Sequence, residues 1–156
     1  MAIQPNENFL AVNINFKSAF ALIDTGAVTS CISEQFARFL RLTPQATSDD
    51  VKLISANKSP IHTLGMVEAE LSLQGLVVLF RFQVLKSLSH KLVLGQDFLR
   101  FSNAIIDCGN RSIEMFEELV RASLTRFNER DVVLRLAQNI IIPAATEAIV
   151  RLIVPH

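Results

Sequence analysis

Leu22-Ile23-Asp24-Thr25-Gly26-Ala27 places a carboxylate at the end of an apolar stretch, just before a residue that permits a tight turn. Two carboxylates brought within a few ångströms cannot both ionise, so they share one proton. The ionised member can then take a proton from an attacking water, while the protonated member hydrogen-bonds a carbonyl oxygen as charge develops on it. That chemistry hydrolyses an amide and needs neither metal nor cofactor. Asp-Thr-Gly occurs once in the 156 residues, so a complete pair requires a second copy of the chain. Thr25 adds a hydroxyl able to bond backbone across a two-fold axis, and Gly26 lets two loops meet without a Cβ between them.

The elements that must position this turn read mainly as strands. Leu10, Val12, Ile14 and Phe16 alternate with polar or small residues, Lys17-Ser18 is expected to turn the chain, and Ala19 to Ile23 is apolar as a buried strand would be. Ser33 followed by Glu34 to Leu40 predicts a short N-capped helix with Phe36, Phe39 and Leu40 on one face, stopped at Thr43-Pro44. Val51 to Ala56 and Ile61 to Leu73 flank Asn57-Lys58-Ser59-Pro60, a hairpin with a polar tip. Gly75 then leads into a strand over Leu76 to Leu85, in which Phe80, Phe82 and Val84 alternate with Arg81 and Gln83. Leu92-Val93-Leu94-Gly95 is a short strand entering a helical turn at Gln96-Asp97-Phe98-Leu99. Ala104 to Cys108 pairs across Gly109-Asn110 with Ser112 to Met115. Glu117 to Asn128 is charged and helix-tolerant, and it leads to extended pieces over Val132 to Leu136, Asn139 to Ile142 and Ala148 to Val154.

Composition narrows the classes. Fifteen basic and fifteen acidic residues cancel without a basic block, which argues against a nucleic-acid partner. A 50% hydrophobic content suggests apolar surface covered by self-association. No uninterrupted aliphatic and aromatic run, Leu76 to Phe80 included, is long enough to span a bilayer, and the polar start Gln4 to Asn8 does not read as a signal peptide, so a soluble cytoplasmic protein is expected. Cys31 and Cys108 read as free thiols, and His62, His90 and His156 belong to no metal-ligand array.

The order of Ala21-Leu22-Ile23-Asp24-Thr25-Gly26, a polar-tipped hairpin about 30 residues on, and Leu92 to Leu99 resembles retropepsins, the homodimeric aspartic proteases of retroviruses and retrotransposons. Leu94-Gly95-Gln96-Asp97-Phe98-Leu99 with Ile106-Asp107 is most similar to gypsy-type LTR retrotransposon polyproteins. The likeness covers about Phe9 to Phe116 and implies an all-β fold: a closed barrel with one or two short helices, a flap hairpin and a C-terminal β extension. It implies a protease domain over 1–116, with 117–156 resembling the stretch between protease and reverse transcriptase. By the same resemblance Asp24 is the catalytic carboxylate, Thr25 and Gly26 brace its loop, and Ala27 lies beside the substrate backbone. Ile54, Ser55, Ala56, Asn57, Lys58 and Ser59 belong to the substrate-covering flap, and Val93, Leu94 and Gly95 support the loop from behind. The implied substrate is a polyprotein chain, and the implied assembly is a homodimer without cofactor.

Two positions depart from the family pattern: Lys58 follows Asn57 where relatives often place Gly, and Gln96 stands where many carry Arg and form an ion pair. Other readings stay open on the residues alone. Asp24 can serve as a turn residue bonding its own backbone, and Asp97 and Asp107 read as a helix N-terminal acid and a strand-end turn residue. The fold can act as a catalytically silent dimerisation or scaffold module. A dUTPase-like trimer has only the loose likeness of Ile23 to Gly26 to a nucleotide-binding turn, and the chain has no Tyr to stack on a base.

Overall fold

A computed structural model describes residues 7–46, 53–54 and 60–126. Eleven strands and two helices follow one another as β1 (Phe9–Ile14), β2 (Lys17–Ile23), β3 (Cys31–Ser33), α1 (Glu34–Phe39), β4 (Leu53–Ile54), β5 (Pro60–Ile61), β6 (Thr63–Leu73), β7 (Leu76–Leu85), β8 (Leu92–Leu94), α2 (Gln96–Phe101), β9 (Ile105–Asp107), β10 (Ser112–Met115) and β11 (Val120–Ser123). Six of them close into a barrel in the order β1-β2-β8-β3-β7-β6, and β9, β10 and β11 form a separate three-stranded sheet. The expected all-β barrel with two short helices is therefore the fold.

Alternation drives closure. In β6 the residues Val67, Ala69, Leu71 and Leu73 are buried while Glu68 is exposed, so one face enters the core and the other meets water. β6 and β7 form the longest hairpin, turning at Gln74 (φ 50°) and Gly75 (φ 86°) between the paired Leu73 and Leu76. Both positive dihedrals match the right-handed twist of the flanking strands. Near its other end the pairing slips between Thr63 and Met66. There Gly65, at φ 125°, lies against Gln45, whose carbonyl oxygen would stand 2.7 Å from an added Cβ.

The first hairpin turns two residues earlier than expected. Ile14 pairs with Lys17, so Asn15 (φ 45°) and Phe16 (φ 68°) make the turn, and Lys17-Ser18 already belong to β2. Phe16 is 90% exposed and does not continue the buried row. In β7 the alternation also fails at Gln83, which is buried and accepts a hydrogen bond from Thr63 Oγ1 at 2.7 Å. Burial of this amide is tolerated because it is bonded.

Helix α1 starts where the cap predicts, with Ser33 Oγ accepting from the Phe36 amide at 3.1 Å. Its buried face runs through Ser33, Phe36 and Ala37, and Phe39 is 64% exposed, contrary to the expected stripe. Phe39 instead stacks on Phe36 at the helix rim, with Lys17 Nζ 5.9 Å from its ring centre. Helix α2 is anchored by Phe98, fully buried and met edge-on by Phe80 at 5.0 Å and by Phe116 at 6.2 Å. Burying such a ring contributes about 1.5–3 kcal/mol.

Past Phe116 the chain does not form the helix-tolerant connector read from its charges. Phe116, Glu117 and Glu118 all take left-handed dihedrals (φ 53°, 52° and 73°) and return the chain as β11. Val120, Ala122 and Leu124 join the main core, and Thr125 pairs with Phe9 at the start of β1. The sequence reads charged here because Glu114 and Glu118 both pair with Arg121, at 3.0 and 3.2 Å. The extended pieces expected from Val132 onward lie outside the described residues. Among the described residues no helix is long and apolar enough to cross a membrane.

Candidate active site

Asp24 stands where β2 emerges between two neighbours. The Ile23 amide donates to Asn8 O at 2.8 Å on the β1 side, and the Asp24 amide donates to Leu94 O at 3.0 Å on the β8 side. The chain then bends: Asp24 Oδ1 accepts from the Gly26 amide at 2.9 Å, and Asp24 O accepts from the Ala27 amide at 3.2 Å. A Cβ at position 26 would press to 3.2 Å on Asp24 Oδ1, so glycine permits this approach. Asp24 is half-buried, Thr25 and Gly26 are exposed, and Val28 is 70% exposed.

The loop is gripped from behind by β8 and the start of α2. The Gln96 amide donates to Ala27 O at 2.7 Å, the Asp97 amide to Val28 O at 3.2 Å, and Gln96 Nε2 to Thr25 O at 2.8 Å. Where an ion pair is expected of many relatives, this chain thus supplies a neutral amide hydrogen bond directly to the Asp-Thr-Gly turn. Gly95 admits the crossing: a Cβ there would sit 2.6 Å from Ala27 O and 2.9 Å from Thr29 C. Val93, Leu94 and Gly95 therefore lie against the loop.

Asp97 does more than its reading as a helix N-terminal acid. It accepts from the Phe98 amide at 2.7 Å, as such a residue does, but Oδ1 also accepts from Ser30 Oγ at 2.6 Å and from the Ser30 amide at 2.9 Å. Ser30 Oγ in turn accepts from the Gly95 amide at 2.9 Å. Ser30 is fully buried, so this three-residue network satisfies polar groups that would otherwise be orphaned. Sequence reasoning missed it because 67 residues separate Ser30 from Asp97, and no local pattern links them.

Asp24 borders a cleft of about 500 Å³ lined also by Leu22, Ile23, Ala27, Cys31, Ile61, Leu85, Leu88 and Val93, and by Glu7, Ser89 and His90. Its size and apolar wall suit a ligand of several side chains. Ala27 and Val93 are in the wall, Val93 thus lining the cleft rather than standing wholly behind the loop. Ile54 is paired with Pro60, so Pro60, read as part of the tip, instead belongs to β5, and the expected strand from Ile61 is split into β5 and β6. Ser55, Ala56, Asn57, Lys58 and Ser59 lie outside the described residues. Cys31 was not anticipated here; burial first, then the charges of Asp97 and Asp24, push its thiol up to about 12. It stays a neutral donor, bonding Thr29 O at 3.4 Å. Both cysteines are free. Among the described residues no group of three or more His, Cys, Asp or Glu could hold a metal ion.

The profile of the family described as "gag-polyprotein putative aspartyl protease" matches residues 10–101, more than half of the chain. No curated protein sequence matches it. The retroviral protease-like domain of Ddi1 from Leishmania major is similar in structure, with a TM-score of 0.60 and 18% identity over 80% of this chain and 95% of that one. EIAV protease, solved with the inhibitor HBY-793, is similar with a TM-score of 0.51 and 19% identity over 65% of this chain and 92% of that one. At such identities the likeness concerns the fold, a retropepsin-like barrel.

Proposed function

The chain belongs to the gag-polyprotein aspartyl protease family, and from that premise we propose that it is an aspartic endopeptidase. Two copies form one active site, each contributing Asp24, and the substrate is a Gag-Pol-like polyprotein of a gypsy-type retrotransposon. The observation that carries this reading is a single arrangement. Asp24 is half-buried at an apolar cleft, on a loop held from behind by Leu94, Gly95, Gln96 and Asp97. A carboxylate so fixed loses little orientation freedom when it acts.

In the proposed reaction the ionised Asp24 takes a proton from water as its oxygen attacks the peptide carbonyl carbon. The partner's Asp24 donates its proton to the carbonyl oxygen as charge develops there and takes it back when the tetrahedral species collapses. Collapse of the tetrahedral species breaks the C–N bond, and the proton first taken from water goes to the leaving amine. The exposure of Thr25, Gly26 and Val28 beside Asp24 supports an approach by a second copy.

The test is cleavage of peptides spanning Gag-Pol junctions at mildly acidic pH, by wild type and Asp24→Asn, with sedimentation to read assembly. Loss of about 10³-fold or more in rate is expected on removing a group that acts in acid–base transfer. Equal activity of the two proteins sinks the reading, and intact dimers without any cleavage favour a scaffold module instead.

A further inference from the structure

The cleft lining is mixed: beside its apolar residues stand Glu7, Ser89 and His90, and among the described residues lining it there are two carboxylates, Asp24 and Glu7, and no Lys or Arg. We propose that Glu7, braced by His90, is a specificity-determining residue that forms a subsite near Asp24 for a basic side chain of the polypeptide substrate. The proposal rests on the protease reading and adds to it the charge of the preferred substrate.

Glu7 is held in place from several directions. Its Oε2 lies 3.0 Å from His90 Nε2, and His90 Nδ1 lies 3.1 Å from Ser89 Oγ. The His90 ring packs on Phe9 at 5.6 Å. The next residue, Asn8, accepts from Arg111 Nη2 at 2.7 Å and through its carbonyl from the Ile23 amide at 2.8 Å. The carboxylate is thus tied to the strand that delivers Asp24, at a fixed place relative to it. With side chains 22% and 23% exposed, His90 and Glu7 are partly withdrawn from water but still reach the cleft.

A carboxylate offers about four lone-pair sites, and the imidazole occupies one. The remainder suit an ammonium or, bidentately, a guanidinium, and a partly desolvated setting strengthens that attraction. A substrate Asp or Glu at the same place would meet a like charge in an already anionic cleft. Lys91, the nearest cation in sequence, lies over the Phe36 ring at 5.7 Å. If two copies share one groove, the two-fold puts one Glu7 on each side of the scissile bond, so the preference extends to both sides.

The experiment uses the full chain and fluorescent statine-containing peptides, otherwise apolar, with Arg, Gln or Glu at the positions flanking the statine unit. Binding is read by anisotropy for wild type, Glu7→Gln, Glu7→Lys and Asp24→Asn. Wild type is expected to bind the Arg peptide about tenfold or more tightly than the Glu peptide. That ratio should collapse toward one in Glu7→Gln and invert in Glu7→Lys. Far-ultraviolet circular dichroism checks that each variant is folded, and loss of the wild-type ratio at high salt provides a readout free of mutation. If wild type binds the Gln peptide in an Asp24-dependent way but does not discriminate Arg from Glu, or if Glu7→Gln keeps the ratio, the inference is overturned while the protease reading stands. If no statine peptide binds wild type, or if binding ignores Asp24, the protease reading fails and this inference falls with it.

Discussion

Two Asp-x-Gly turns close two apolar strand ends in this chain, Leu22-Ile23-Asp24-Thr25-Gly26 and Ile105-Ile106-Asp107-Cys108-Gly109. Locally they behave alike: Asp24 Oδ1 accepts from the Gly26 amide at 2.9 Å, and Asp107 Oδ1 from the Asn110 amide at 3.0 Å. Their surroundings differ. Asp24 emerges between β1 and β8, and its loop is fastened through Gln96 and Asp97. Asp107 caps a solvent-facing hairpin, where the Asn110 backbone amide, and then its side chain, hold the carboxyl below the usual carboxylate range. One turn faces a cleft and the other faces water, so the tripeptide alone does not make a site. What distinguishes them is what packs behind and in front.

Substitutions can separate the two turns, and the largest contrast is catalytic. Under the proposed function Asp24→Asn lowers the cleavage rate about 10³-fold or more, whereas Asp107→Asn leaves it within about twofold. Equal losses from both would erase the distinction.

Stability should divide them next. Asp97→Ala leaves the buried Ser30 hydroxyl and amide without their acceptor, and urea titration should register a loss of about 2–4 kcal/mol together with lost activity. Asp107→Ala, at an exposed turn, should shift the urea midpoint by only a small fraction of that change.

The glycines provide a finer contrast. Gly95→Ala drives a Cβ to 2.6 Å from Ala27 O and should cost about 1–3 kcal/mol in thermal unfolding. Gly109→Ala meets only Asp107 Oδ1, at 3.5 Å, and should stay within about 0.5 kcal/mol.

The smallest effect is in pH dependence. Because folding lowers the Asp107 pKa, its contribution is present above the unfolded value, about 3.9, and is lost as pH falls through the folded value. The stability gap between wild type and Asp107→Asn should be visible at pH 6 and shrink by pH 3. A gap that widens on acidification would contradict the bonding assigned to Asn110.

Residue types and spacing alone determined much of this protein. Period-two alternation located β6 and β7, Ser33 marked the start of α1, and Leu92 to Leu94 with the Asp-Thr-Gly turn marked the two pieces that meet at the site. These are local properties, since side-chain alternation and capping depend on residues a few positions apart. Phe16 and Phe39 were misplaced because hydrophobicity reports a wish for burial, while turn geometry and the breadth of the core decide which ring receives it. The charges after Glu117 read as a connector because cross-strand ion pairs with Arg121 cannot be told from a solvated run without the pairing. Tertiary structure alone set Ser30 against Asp97, turned Gln96 toward Thr25 O, and brought Glu7 beside His90 in the lining of the cleft. Those contacts join residues far apart along the chain, and only closure of the barrel brings them within hydrogen-bonding distance.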